Sequence, residues 1–320
     1  MQSLERNTIP KNLTRRQCVS KVAEIYDLVG KITPLTAMMK CDLHDLVSRK
    51  LDWDDKIPDS LRHVWESHFE MIQNIKGIKF NRAVVPEDAI SLDINTIDTG
   101  DASHHLACAA IYARFKRKSG IYSCQLIFSR SKLIPQDMSQ PRAELFAATL
   151  NAHTGEIVKR SLQAYHKNSM KLTDSQIVLH WLHNENKQLK QWTRNRVIEI
   201  HRFADKSLWR YISSTDMIAD IGTRRGTTLD DVNAESVWIN GFSWMKLDVS
   251  EFPTKSIEEI KLDQQEINSI NTETQIKLIK TNDTAEQSST YITYCKLDNE
   301  QIEKRYIYSQ YLIDPNRQRF

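Results

Sequence analysis

The sequence of 320 residues lacks the features that mark extracellular and membrane proteins. It has only five cysteines, and none is spaced from another like a pair of metal ligands, so we expect reduced thiols in an intracellular protein. No apolar run approaches the roughly 20 residues that span a bilayer, and the N-terminal Met-Gln-Ser-Leu-Glu-Arg contains no signal-peptide core. We therefore expect a cytoplasmic protein without a membrane partner.

A strong excess of charge is lacking as well. The net charge is +3 and the pI is about 8.5, so no basic field covers the molecule, and any nucleic-acid binding must come from local patches. The hydrophobic fraction of 40% and the length are sufficient for a substantial core and predict about two domains.

Residues 1–86 show a helical pattern and are predicted to form a small helical module. Thr14 can cap the first helix, whose apolar stripe ends before Gly30. A second helix is expected from near Pro34, and a third is expected to begin at Asp59 or Ser60.

The pattern changes to strand periodicity after this module, and residues 87–247 are predicted to form a second domain. Five strands are expected, at Ile90–Asp98, Leu106–Lys116, Tyr122–Leu133, Met170–Asp174 and Trp209–Ile212. Helices are expected at Arg142–Tyr165, Gln176–Asn184 and Gln188–Ala204. This order predicts an α/β fold with a mixed five-stranded sheet flanked by helices. Residues 248–290 are too polar to build a core of their own and are predicted to be a linker.

Four acidic residues occupy comparable positions at the ends of predicted elements. Asp101 follows an apolar strand, Glu144 opens a helix, Asp174 ends a strand, and Asp220 lies near the start of a late helix. Four carboxylates that met at one end of a sheet would repel one another unless cations held them, and two Mg²⁺ ions held in this way could support phosphodiester hydrolysis. Taken singly, each residue is better explained as a cap or turn residue, so only their joint placement favours catalysis.

Nine short blocks follow one another along residues 13–247. They are Leu-Thr-Arg-Arg-Gln at 13–17, Ile-Tyr-Asp-Leu-Val-Gly at 25–30, Leu-Asp-Trp-Asp-Asp at 51–55, Gly-Asp-Ala-Ser at 100–103, Ser-Arg-Ser-Lys-Leu-Ile-Pro at 129–135, Pro-Arg-Ala-Glu-Leu at 141–145, Thr-Asp-Ser at 173–175, Asn-Arg-Val-Ile-Glu-Ile at 195–200 and Ala-Asp at 219–220. In this order the chain resembles the thumb or connection region and the RNase H domain of the BEL/Pao family of long-terminal-repeat retrotransposon polyproteins. Residues 291–320 resemble a truncated segment that leads towards integrase.

The resemblance implies an RNase H-like fold in which Asp101, Glu144, Asp174 and Asp220 are catalytic and hold two Mg²⁺ ions, or Mn²⁺ in their place. The implied substrate is the RNA strand of an RNA–DNA hybrid, read through its 2′-hydroxyls and backbone shape. The basic residues expected to contact phosphates, which surface charge explains equally well, are Lys132, Arg142, Lys190, Arg194 and Arg196.

The implied partners in a polyprotein are the reverse-transcriptase fingers and palm upstream and an integrase region downstream. This chain itself contains no Tyr-x-Asp-Asp polymerase motif and no Cys/His integrase finger, so we do not expect it to polymerise by itself.

Two departures from the family pattern leave other interpretations open. Met217-Ile218 stands where the family has Asn-Pro before the final Ala-Asp, and Cys108 stands where it has Gly. A displaced Asp220 would weaken cleavage or leave an RNase H-like module that binds nucleic acid or protein without cutting it. A poorly folded, unselected product is the third alternative.

The histidines offer a weaker alternative site. His180 and His183 have the helical spacing of a Zn²⁺-binding pair, but no third ligand lies at a fitting distance in the sequence, so an amphipathic helix is the better interpretation. No histidine stands just before Asp220 to assist product release or proton transfer, and His201, the nearest upstream, is expected to be a packing or surface residue.

Overall fold

The computed structural model of the protein describes residues 9–184 and 189–274, so the predicted segment at 291–320 lies outside the described residues. Three helices precede the sheet: α1 (Arg15–Ala23), α2 (Thr33–Ser48) and α3 (Asp59–Ile75). Thr14 caps α1 through a capping box with Gln17, as its position predicts. Leu35 and Met38 of α2 are buried in the same cluster as the sheet residues, so the helical module and the sheet share one core.

Six strands form one mixed sheet. They are β1 (Ile94–Ala102), β2 (Leu106–Lys116), β3 (Tyr122–Leu133), β4 (His166–Thr173), β5 (Trp209–Ile212) and β6 (Thr254–Lys255). Their spatial order is β3-β2-β1-β4-β5-β6; β4 is parallel to β1 and β5, and the remaining pairs are antiparallel. The predicted α/β fold with its mixed sheet is confirmed, and β6 adds a sixth strand of two residues at one edge.

Helices cover both faces of the sheet. They are α4 (Gln140–Leu162), α5 (Gln176–His183), α6 (Gln191–Phe203), α7 (Val237–Asn240) and α8 (Gln264–Thr272). In β2, Cys108 and Tyr112 belong to the cluster that contains α2 and α7 residues, whereas Ala107 and Ala109 belong to the cluster that contains α4 residues. Because β2 is buried on both faces, its sequence is a continuous apolar run rather than an alternating one.

β1 lies four residues further along the chain than the sequence pattern predicts. Ile90 and Leu92 are exposed, whereas the strand from Ile94 pairs with β2 on one side and β4 on the other. This pairing holds Gly100 and Asp101 in the extended conformation, although glycine and aspartate are poor strand formers. A small residue is required at Gly100 because α4 crosses closely: a Cβ there would lie 2.8 Å from Asn151 Cβ.

Residues 254–274 pack against the domain, although their polar composition predicts a linker. β6 pairs with β5, and Asp263 caps α8 by accepting a 2.8 Å hydrogen bond from the Glu266 amide. Ile270 of α8 is buried in the cluster formed by α5 and α6. A capping box and one buried apolar residue are enough to dock a short helix on an existing core, although they could not build a core alone.

Two further features concern the cysteines and the helices of the described residues. The cysteines in the described ranges, Cys18, Cys41, Cys108 and Cys124, are buried free thiols. Among the described helices, none combines the length and the apolar composition needed to cross a membrane.

Candidate active site

Two of the predicted carboxylates lie where the two central parallel strands of the sheet, β1 and β4, end. Thr99 of β1 pairs with Leu172 of β4, and Asp101 and Asp174 each stand two residues further along these parallel strands. The carboxyl ends of adjacent parallel strands are where α/β sheets commonly place their functional groups. The topology therefore brings together two residues that are 73 positions apart in the sequence.

Asp101 carries the most strongly perturbed carboxyl group of the site. Burial raises its pKa to about 7, and the negative charges of Asp174 and Asp220 add to this shift. The hydroxyl of Thr223 opposes the shift, because it donates a hydrogen bond of 2.5 Å to Asp101 Oδ2. Burial and repulsion thus favour the protonated form of Asp101, and the hydrogen bond from Thr223 favours the charged form.

Asp174 is the carboxylate that interacts electrostatically with the other three. Burial raises its pKa, with a contribution from Asp220, and Ser214 Oγ donates a 2.9 Å hydrogen bond to Asp174 Oδ2. The charge of Asp174 in turn acts on Asp101 and on Glu144. The charge of Asp174 thus links Asp101 and Glu144 into one electrostatic group.

Glu144 joins this group from the second turn of α4. Burial is the main cause of its raised pKa, and the charge of Asp174 adds to it. The side chain accepts hydrogen bonds from the Ser175 hydroxyl and, at 3.3 Å, from Gln140 Nε2. Helix α4 therefore supplies a third carboxylate to the edge where β1 and β4 end.

Asp220 is exposed on a 3₁₀ turn, Ile218–Gly222, and not on a longer helix. The turn is held by Met217 and Ile218, which are 2% and 0% exposed in the core, and by a 3.2 Å hydrogen bond from the Asp220 amide to Met217 O. Burial of this apolar pair thus anchors the turn that carries Asp220. Asp220 remains within electrostatic reach of Asp101 and Asp174.

Cys108 on β2 is the cross-strand neighbour of Asp101 on β1. The two residues face each other across the β1–β2 pair, and Cys108 is completely buried. A Cβ at Gly222 would lie 2.3 Å from Cys108 Sγ, so the glycine leaves the space that the sulfur occupies. The larger residue at 108 is therefore accommodated by a missing side chain in the Asp220 turn.

The four carboxylates fit a divalent cation in their chemistry, although they do not form a closed ligand group. Across residues 9–184 and 189–274, no three His, Cys, Asp or Glu side chains are close enough to hold an ion as they stand. They are nevertheless hard oxygen donors that repel one another, and a cation would relieve that repulsion. Asp101, Glu144, Asp174 and Asp220 are the residues that would hold Mg²⁺.

The basic residues expected to contact phosphates lie in two places. Arg142 lies on α4, and three others lie at the start of α6, namely its N-cap Lys190 and the helix residues Arg194 and Arg196. The guanidinium groups of Arg142 and Arg196 lie 5.4 and 5.7 Å from the centre of the Trp192 ring. Lys132 is on β3 and is thus separate from this group.

Two of these basic residues have carboxylate partners. Nε and Nη2 of Arg142 each donate a 3.0 Å hydrogen bond to the carboxylate of Glu273, which also accepts a 2.7 Å hydrogen bond from Thr193 Oγ1. Arg196 pairs with Glu199 on its own helix. Glu273 is not among the predicted site residues, because it lies in the stretch predicted to be a linker.

The histidines have structural partners. His183 Nδ1 lies 3.0 Å from Leu179 O, and His201 Nε2 lies 3.0 Å from Leu182 O. Helix α5 buries Val178, Leu179, Trp181 and Leu182, so it is an amphipathic helix, as the sequence predicts.

One tripeptide within β1, Asp98-Thr99-Gly100, matches the Asp-Thr-Gly motif of aspartic proteases. The Asp98 carboxylate is 1% exposed and accepts hydrogen bonds from Lys171 Nζ at 2.6 Å and Ser169 Oγ at 2.9 Å. A catalytic aspartate needs access to substrate, so the tripeptide has a structural role here.

Three hydroxyl groups contact the acidic cluster, although none of them is among the predicted site residues. They belong to Ser175, Ser214 and Thr223. The sequence feature that could have indicated two of them is their position next to the acidic residues, since Ser175 follows Asp174 directly and Thr223 comes three residues after Asp220.

Comparison with known families supplies the remaining observation. The family model described as the Pao retrotransposon-like RNaseH-like domain matches residues 14–175, which is half of the chain. The chain belongs to the Pao retrotransposon family of RNase H-like domains. In this Pao-family protein the match contains Asp101, Glu144 and Asp174 and ends before Asp220. No curated protein matches the chain.

Proposed function

We propose that this Pao-family protein is a metal-dependent ribonuclease H that cleaves the RNA strand of RNA–DNA hybrids. The observation that supports the proposal is the meeting of Asp101, Glu144 and Asp174 at one edge of the sheet, beside the exposed Asp220. Burying carboxylates against one another costs stability, and such groups are concentrated at functional sites. The match to an RNase H-like domain supports phosphodiester hydrolysis as the reaction of this site.

The cluster has the division of roles that this chemistry needs. Bound Mg²⁺ would supply activation of water and stabilisation of the leaving oxygen. Asp101 and Glu144 offer ligands from β1 and α4, Asp174 offers one from the residue directly after β4, and Asp220 is the exposed member that substrate reaches from solvent. The hydroxyl groups around the cluster hold the carboxylates in place before any ion binds.

The phosphate backbone of the hybrid would bind to local basic residues of the protein. The net charge of +3 is too small for the molecule as a whole to attract nucleic acid strongly. The proposed phosphate contacts are Lys132, Arg142, Lys190, Arg194 and Arg196, of which Arg142 also pairs with Glu273 and Arg196 with Glu199. Recognition of 2′-hydroxyls and A-like shape predicts little dependence on base sequence. In a polyprotein, we propose that the domain acts beside a reverse-transcriptase region and an integrase region.

The test is cleavage of an end-labelled RNA–DNA hybrid in Mg²⁺ or Mn²⁺ by the wild-type protein and by Asp101→Asn. Asp93→Asn is the matched control, because Asp93 precedes the same strand and pairs on the surface with Lys167 at 3.4 Å. We expect wild type and Asp93→Asn to cut the hybrid but not double-stranded DNA, and Asp101→Asn to lose the activity.

A well-folded wild-type protein that binds the hybrid without cutting it would contradict the nuclease proposal. It would instead support the alternative of an inactive nucleic-acid-binding module. A cooperative thermal melt of the same preparation separates both outcomes from a protein that does not fold.

A further inference from the structure

An uncharged side chain, that of Thr223, makes a short hydrogen bond to the acidic cluster. Its Oγ1 lies 2.5 Å from Asp101 Oδ2 and 3.2 Å from the Asp220 carbonyl oxygen, and the residue is 3% exposed. A hydroxyl group has one proton to donate, and the shorter contact to the charged oxygen is the stronger hydrogen bond. The proton therefore lies between Thr223 and Asp101.

We propose that Thr223 is a positioning residue that fixes the Asp101 carboxylate for cation binding. The inference rests on the proposed function, and it assigns a role to a residue outside the predicted ligand set. Thr223 directly follows the turn that carries Asp220, so one side chain joins the element of the last carboxylate to the carboxylate of β1.

The Thr223 hydroxyl is itself held rigidly. The Thr223 amide donates a 3.0 Å hydrogen bond to Asp220 O, and the preceding turn residues Ala219 and Ile221 are buried in the core. A β-branched side chain has a restricted χ1 angle, so the hydroxyl has little freedom to leave Asp101. The donor is thus in place before a cation arrives.

The hydrogen bond occupies one lone pair of Oδ2 and leaves the remaining lone pairs of the carboxylate for a cation. Without the donor, repulsion from Asp174 and Asp220 would act on a carboxylate that can rotate about its χ2 angle. Groups that orient metal ligands in this way commonly change metal affinity or activity by about 10–100-fold when they are removed.

The test compares Thr223→Val, which keeps the shape and loses the hydroxyl, with Thr223→Ser, which keeps the hydroxyl. Thr227→Val is the matched control, because Thr227 is 2% exposed in the same segment and its hydroxyl has only 3.5 Å contacts to backbone carbonyls. Mn²⁺ affinity is measured by calorimetry without nucleic acid, the melting temperature is measured in EDTA, and kcat and KM are measured on the hybrid.

We expect Thr223→Val to bind Mn²⁺ about 10–100-fold more weakly and to lose kcat with little change in KM, while Thr223→Ser and Thr227→Val stay within about threefold of wild type. Wild-type Mn²⁺ affinity in a folded Thr223→Val protein would overturn the inference and leave the nuclease proposal intact. Equal losses in Thr223→Val and Thr227→Val would also overturn it, because they would reveal a general packing effect. A wild-type protein that neither binds Mn²⁺ nor cuts the hybrid would overturn the nuclease proposal, and the inference with it.

Discussion

Lys171 Nζ lies 2.6 Å from Asp98 Oδ2 in the interior of the sheet, where the two side chains are 4% and 2% exposed. The pair joins β4 to β1 three residues before Asp174 and Asp101, so it lies beneath the acidic cluster. Helix α4 leaves room for it at Gly155, where a Cβ would lie 2.3 Å from Asp98 Oδ2. A buried pair of this kind ties the two strands that carry the candidate ligands.

Removing one partner of this pair should destabilise the fold strongly. We expect Lys171→Met to lower the free energy of unfolding by about 3–5 kcal/mol, because the Asp98 charge would be left buried without its partner. Urea denaturation measures the change. The double variant Asp98→Asn, Lys171→Met should recover part of the loss, and Arg160→Met, which breaks an exposed pair with Glu156, should cost less than about 1 kcal/mol. A loss from Lys171→Met no larger than that of the control would contradict the prediction.

The acidic cluster should make the metal-free protein less stable as the pH rises. The pKa of Asp101 is about 7 in the folded protein and near 3.9 in an unfolded chain, so the folded state binds more protons between these values and its stability falls from pH 4 to pH 7. Asp101→Asn removes this charge. In EDTA at pH 8, the variant should be more stable than wild type by roughly 2–4 kcal/mol. Urea denaturation at pH 5 and pH 8 checks this, and a difference that does not grow with pH would refute it.

The contact between Gly222 and Cys108 predicts a reciprocal pair of substitutions. Gly222→Ala should destabilise the protein by about 1–3 kcal/mol, because the new methyl group would overlap Cys108 Sγ. Adding Cys108→Ala should restore much of the loss by removing the sulfur. A thermal melt of the two single variants and the double variant measures their coupling, and strict additivity would show that the two sites do not interact.

The pair of Arg142 and Glu273 should hold α8 on the domain. Glu273→Gln loses the charge that accepts hydrogen bonds from Arg142 and Thr193, and we expect a loss of about 1–3 kcal/mol. Hydrogen exchange should become faster in residues 264–274 while exchange in β1 stays unchanged. Glu258→Gln, an exposed change in the same segment, is the control. Unchanged protection of α8 in Glu273→Gln would show that the burial of Ile270 and the backbone contacts of residues 273–274 with residues 189–190 dock the helix without this ion pair.

Local pattern was sufficient for most elements but not for the strand that carries Asp101. The bounds of β2, β3 and β5 agree with those expected from alternation and turn residues. The sequence pattern predicts β1 four residues too early, because its segment Thr-Gly-Asp has low strand propensity and becomes extended only by pairing with neighbouring strands. The sequence pattern does not predict β6 and α8 either, because they are stabilised by contacts with β5, α5 and α6, which lie far away in the sequence.

The amino-acid sequence by itself determined the α/β class, the order of the main elements, the family resemblance and the identity of the four acidic residues, because each of these is written in local periodicity or short motifs. Only the tertiary structure decided three relationships. Asp101 and Asp174 lie side by side because each comes two residues after the paired residues Thr99 and Leu172. Thr223 donates a hydrogen bond to Asp101, and Glu273 pairs with Arg142. Those relationships join residues 73, 122 and 131 positions apart, and local patterns contain no information about such distances. They arise when the sheet buries its two faces and thereby sets which strand ends, turns and helices meet.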